Sequence, residues 1–135
     1  MSNLNATDIL LIQKIIEKKT KDKALVWDFT NATFKEFVES YTGLDIYNDK
    51  YEAEDGGSKI KRLKMFLRIE EDSYVIMLLE GIKEYGRKRK YLCKSNIDEI
   101  DKYIKRLKKL EKSIMFDKEI FKNEERVDLL INDIN

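Results

Sequence analysis

The chain has 135 residues, enough for one domain with one modest core. Apolar residues make up 42% of it and charged residues 39%, well above the usual quarter. Its longest apolar runs, Ile9–Ile12 and Val75–Leu79, fall far short of the roughly 20 residues that span a bilayer, so no membrane span is expected. Met1–Ile16 lacks the basic leader and small-residue cleavage site of a signal peptide, and Cys93 is the only cysteine. A cytoplasmic location is therefore expected. Histidine is absent, which removes histidine-dependent triads, histidine metal ligands and zinc sites of the Cys/His type. Proline is absent too, which permits long helices.

The net charge of +1 conceals a segregation. Residues 1–55 carry 7 basic and 11 acidic side chains, residues 56–112 carry 17 and 9, and residues 113–135 carry 3 and 6. A basic middle between acidic ends either forms a patch for an anionic partner or reflects the solvated faces of lysine-rich helices.

In chain order, the spacing predicts a first helix over about Thr7–Thr20, capped by Thr7 or Asp8, with Ile9, Ile12 and Ile16 inward. Ala24–Phe29 reads as a strand or an extended connector, with Trp27 and Phe29 anchoring the core. Thr33 and Glu36 have capping-box spacing for a second helix, whose apolar face is Phe34, Phe37, Val38 and Tyr41 and which Gly43 ends. Residues 44–57 read as a solvated loop; their acids do not follow the spacing of a calcium-binding loop.

Ser58 is a natural cap for a third helix with Ile60, Leu63 and Leu67 on one face and Lys61, Lys64 and Arg68 on another. Glu71-Asp72-Ser73 opens a fourth helix, burying Val75, Ile76, Leu79 and Ile82 and stopping at Gly86; Gly81 sits inside it. A basic knuckle, Arg87-Lys88-Arg89-Lys90, follows. Ser95 or Asp98 caps a long helix over about 96–114, in which Ile97, Ile100, Ile104, Leu107 and Leu110 track close to heptad spacing. Lys102, Lys105, Arg106, Lys108, Lys109 and Lys112 decorate the rest of that helix. A last helix, about Asp117–Ile134, would fold back on it as a hairpin.

The motifs that carry chemistry elsewhere are incomplete here. Gly56-Gly57-Ser58-Lys59 lacks the upstream glycine and the Gly-Lys-Ser/Thr end of a phosphate loop. Its helix N-terminus, flanked by Lys59 and Arg62, remains suited to one backbone phosphate. Glu17-Lys18-Lys19 has the Glu-x-Lys form of metal nucleases but falls on a predicted helix rather than a strand. Cys93 has no histidine partner and reads as a partly buried thiol.

Several segments carry a family resemblance: Phe29-Thr30, Thr33-Phe34-Lys35-Glu36-Phe37, Gly43-Leu44-Asp45-Ile46 and Gly57-Ser58-Lys59-Ile60-Lys61-Arg62-Leu63. The stretch Trp27–Leu79 resembles the small N-terminal domains that precede the ribonuclease-type module in AbiJ-like abortive-infection proteins. The resemblance implies an accessory part that senses or positions. The catalytic module of that family needs an Arg-x4-6-His motif, and this chain has no histidine.

These observations lead to a mainly α fold, a compact helical domain with a C-terminal helical hairpin. It divides into a sensor domain at 1–94 and a hairpin or linker at 95–135. The expected function is a non-catalytic sensor or adaptor of bacterial antiviral defence, with no metal and no cofactor. It would bind nucleic acid, with little sequence specificity, through Ser58, Lys59, Lys61, Arg62, Lys64, Arg68 and Arg87–Lys90 placed on one side. The alternative is a protein-interaction module that meets an effector or a second copy through Ile97, Ile100, Ile104, Leu107 and Leu110.

Overall fold

The computed structural model describes residues 1–19, 24–53 and 56–113. The apolar spacing of the first segment gives helix α1, Ala6–Ile16, with Ile9, Ile12 and Ile16 buried. Its cap lies earlier than Thr7 or Asp8. Asn5 Oδ1 accepts from the Asp8 amide at 2.8 Å and Asp8 Oδ2 accepts from the Asn5 amide at 3.0 Å, a reciprocal capping box. The helix also ends earlier than Thr20. The apolar stripe runs out at Ile16, and Glu17–Lys19 leaves as strand β1 to pair antiparallel with β2, Ala24–Val26. Glu17 therefore pairs with Val26, and the Glu-x-Lys run lies on a strand after all.

Trp27 then turns the chain with a left-handed φ of 44°, and its ring stacks on Tyr85 at 5.8 Å. Helix α2, Asn31–Thr42, begins two residues before the expected Thr33, because the capping box is Thr30 with Thr33 rather than Thr33 with Glu36. Gly43 ends it in the left-handed region (φ 75°), where only glycine avoids a steric cost. Within 44–53 a one-turn 3₁₀ helix, Asp49–Tyr51, drives the Tyr51 ring fully into the core against Phe66. This stretch is thus more than the solvated loop that its polar residues suggest.

Helix α3, Lys59–Ile69, starts at the expected Ser58 cap and buries Ile60, Leu63, Phe66 and Leu67. Helix α4, Asp72–Lys88, runs past Gly86. Gly86 is buried beneath Leu92 and Trp27, whose side chains lie 2.5 and 2.8 Å from where a Cβ would stand. The helix ends at Lys88, and just beyond it Lys90 is left-handed at φ 59°, with the Tyr91 amide donating to the Gly86 carbonyl at 2.8 Å. Gly81 has a similar role mid-helix: the Tyr41 ring of α2 lies 2.6 Å from its missing Cβ, so the two helices touch through it.

Residues 94–113 are helical and are called α5 here. Ion pairs Lys83–Asp101 (2.8 Å) and Lys108–Glu80 (3.4 Å) set α5 antiparallel to α4, and Arg106 pairs with Asp8 of α1. Ile100, Tyr103, Ile104 and Leu107 are buried in the same contiguous core as Ile12, Trp27, Phe34, Leu67 and Leu79. A division at 94/95 therefore cuts through one core. Among the described residues the fold is mainly helical, five α-helices packing round this core beside the short β1–β2 hairpin. The expected final helix, Asp117–Ile134, lies outside the described residues. No helix of the described residues is long and apolar enough to cross a membrane.

Candidate nucleic-acid interface

Helices α3 and α5 carry 12 of the 27 Lys and Arg residues. On α3, Ile60, Leu63 and Leu67 are buried as expected, Arg68 is exposed, and Lys61 and Lys64 are half-buried. Much of the remaining charge is engaged within the fold. The Arg62 guanidinium donates to the carbonyls of Gly57 (3.0 Å), Ile46 (3.2 Å) and Asn48 (3.3 Å) and sits 4.9 Å over the Tyr47 ring. It ties Ile46, Asn48 and Gly57 to α3 and presents no fork to a phosphate. Lys59 Nζ donates to Asn31 Oδ1 at 3.3 Å, and Ser58 Oγ caps the Lys61 amide. Lys61 Nζ lies 3.3 Å from the position a Cβ on Gly56 would take. Lys64 and Arg68 form no ion pair among the described residues.

The knuckle is similarly divided. Lys88 pairs with Glu84 at 3.0 Å. Arg89 pairs with Asp28 at 3.5 Å while lying 5.3 Å over the Tyr85 ring. The Tyr85 hydroxyl donates to Asp28 at 2.7 Å and holds that carboxyl below its usual range, while burial pushes the Tyr85 phenol itself up to about 12. Arg87 and Lys90 are exposed and make no ion pair among the described residues.

Arg68 and the knuckle lie at opposite ends of α4, whereas Lys59, at the other end of α3, bonds Asn31, three residues from the Asp28 that holds Arg89. Arg68 stands beside the start of α4, where Asn3 is bound to Asp72, and the knuckle is at its far end. At 1.5 Å per residue, the 17-residue helix separates Arg68 from the knuckle by about 25 Å.

A longer run of exposed cations without ion pairs among the described residues is on α5. Lys102, Lys105, Lys109 and Lys112 recur at intervals of 3, 4 and 3, so they stand above one another on one face. All four are exposed, and none has an ion pair among the described residues. The face lies opposite the buried Ile100, Tyr103, Ile104 and Leu107. Lys108 and Arg106, to either side, are the ones that pair with Glu80 and Asp8. The sequence carried this signal in the 3-4-3 interval. It is masked by Arg106 and Lys108, which make the basic residues look evenly scattered.

The apolar stripe expected to meet a partner is consumed internally. Ile100, Ile104 and Leu107 are buried and Ile97 packs against the core, leaving Leu110 as its one exposed member. The reason is geometric: a heptad-like stripe satisfies a core of α1 and α4 as well as it would satisfy a second chain.

Cys93 is exposed rather than partly buried, just ahead of α5. Its sulfur contacts Ser95 Oγ (3.1 Å) and donates to Asn96 Oδ1 (2.9 Å); hydrogen bonds from the Ser95 side chain first, then from the Asn96 backbone, hold the thiol below its ordinary value. Among the described residues, no three His, Cys, Asp or Glu side chains are grouped to hold a metal ion.

No family model, curated protein or solved structure matches the chain.

Proposed function

We propose that the chain is a non-catalytic helical adaptor that holds nucleic acid by its phosphate backbone along the outer face of α5. The observation that carries this reading is the stripe Lys102, Lys105, Lys109 and Lys112, four exposed cations in register with no carboxylate partner among the described residues. The stripe spans about 15 Å at 1.5 Å per residue. That matches about four nucleotide steps of one strand at 3.4 Å each. Lysine contacts of this kind position a backbone and read no base edge, so little sequence preference is expected. Arg87 and Lys90, exposed where α4 ends, are further cations without ion pairs among the described residues. The resemblance of Trp27–Leu79 to accessory domains of AbiJ-like proteins supports antiviral defence as the setting, with sensing or positioning as the role.

Fluorescence anisotropy with short single-stranded and duplex oligonucleotides tests this. Four neutralised phosphates give a slope of log affinity against log salt of about −3 for single strands and about −4 for duplex. Replacing Lys102, Lys105, Lys109 and Lys112 together by Glu should abolish binding while leaving the fold intact. The earlier candidates Lys61, Lys64 and Arg68, replaced together, serve as the comparison. Absence of binding by the unaltered chain at about 50 mM salt would overturn the reading.

A further inference from the structure

A groove of about 810 Å³ opens between the N-terminal part of α1 and the outer side of α3. That lies inside the range of about 300–1,000 Å³ typical of small-ligand sites. Its floor is aliphatic and thioether: Leu4, Ile9, Leu10 and Met65 line it, and no aromatic ring of the described residues does. Leu10 is 47% exposed, although it stands on the helix that supplies Ile9 and Ile12 to the core. The polar side chains of the lining are Ser2, Asn5, Lys61, Lys64 and Arg68. Ser2 and Asn5 are spent on the fold, Ser2 Oγ donating to the Leu67 carbonyl and Asn5 capping α1. Lys64 and Arg68, four residues apart on α3, overhang the floor and make no ion pair among the described residues. Among the described residues, no carboxylate lines the groove.

A flexible aliphatic floor under two adjacent cations selects for a particular chemistry. Among the described residues a nucleobase would find no ring to stack on, and a bare phosphate would leave the floor wet. We propose that this groove binds an unbranched acyl chain ending in an anionic head, the chain lying on Leu4, Ile9, Leu10 and Met65 and the head held between Lys64 and Arg68. The site is separate from the α5 lysine face, and its occupation does not depend on nucleic-acid binding.

The test is a series of unbranched carboxylates of increasing length, titrated below their micelle concentrations by calorimetry against the full chain. Each added methylene should tighten binding about fourfold until the groove is filled. Methyl esters of the same chains should bind at least tenfold more weakly. Lys64→Gln and Arg68→Gln should weaken every member of the series yet keep its length dependence, whereas Leu10→Gln should flatten that dependence. Both effects should persist in the α5 quadruple Glu variant. The proposal is overturned if affinity ignores chain length, if esters bind as well as acids, or if only anionic vesicles and no monomeric acid bind. It is equally overturned if an acidic amphipathic peptide binds and the acyl series does not.

Discussion

Helices α3 and α5 look alike in composition and differ in what their charges do. Each alternates apolar residues with Lys and Arg, and each buries one face in the common core. On α3, Arg62 is tied to the carbonyls of Ile46, Asn48 and Gly57 and Lys59 to Asn31, so part of its charge serves as mortar between the helix and its neighbours. On α5 the flanking Arg106 and Lys108 serve as mortar, and the four lysines between them face solvent. Counting charges identifies both helices as basic. Only the partners of each charge separate a surface that is available from one already used.

The comparison breaks most severely if α5 is a separate unit rather than a wall of the core. A chain ending after residue 95 loses Ile100, Tyr103, Ile104 and Leu107 from one contiguous core. At about 2–5 kcal/mol for each large core side chain, that exceeds much of the 5–15 kcal/mol typical of a whole domain. The truncated chain should show no cooperative unfolding by circular dichroism. In the full chain, Leu67→Ala on α3 and Leu107→Ala on α5 should each cost about 2–5 kcal/mol in urea titration. A near-neutral Leu107→Ala would mean that α5 only rests on the surface.

Gly81→Val comes next. The new side chain would meet the Tyr41 ring, whose nearest atom is 2.6 Å from the added Cβ, and forcing α2 from α4 should cost about 1–3 kcal/mol. A stability equal to the unaltered chain would show that Tyr41 swings away freely.

How much of this was legible follows from the kind of interaction involved. Helix faces were, because burial imposes a 3.6-residue period that Ile12, Phe34, Leu63 and Leu79 all obey. The end of α1 was not, because strand pairing of Glu17 with Val26 is a contact between segments and leaves no local trace. Gly86 looked like a stop because helix-ending glycines and close-packed glycines are the same residue; Leu92 and Trp27 decide between them. The candidate site was half legible. Arg68 is exposed as expected, but Arg62 could not be assigned to the loop before the carbonyls of Ile46 and Asn48 were placed beside it.

Arg62 and Lys105 sharpen the contrast between the helices. Arg62→Ala removes charge-assisted hydrogen bonds from a partly exposed position and should cost about 1–2 kcal/mol in denaturation, with oligonucleotide affinity little changed. Lys105→Ala should do the reverse, staying within about 0.5 kcal/mol in stability while making the salt slope shallower by about 1. If Arg62→Ala alone abolishes binding, the available cations are on α3 and the assignment to α5 fails.

The smallest expected effect is a pH dependence that belongs to the α3 side alone. Glu70, the C-cap of α3, is 8% exposed. Burial by itself would push its carboxyl up. The hydrogen bonds from Lys50 at 2.7 Å and the Tyr51 hydroxyl at 2.6 Å outweigh that and leave it below its ordinary value. A carboxyl whose folded pKa is lowered binds its proton more readily when unfolded. Its contribution is therefore complete above the unfolded value, about 4.3, and is lost as pH falls through the folded one. Stability measured in urea from pH 7 to pH 3 should fall on the acid side, and Glu70→Gln should flatten part of that fall. The α5 quadruple Glu variant leaves Lys50, Tyr51 and Glu70 untouched and should keep their share of it. An acid limb unchanged in Glu70→Gln would mean that the buried network at the end of α3 contributes no proton-linked stability.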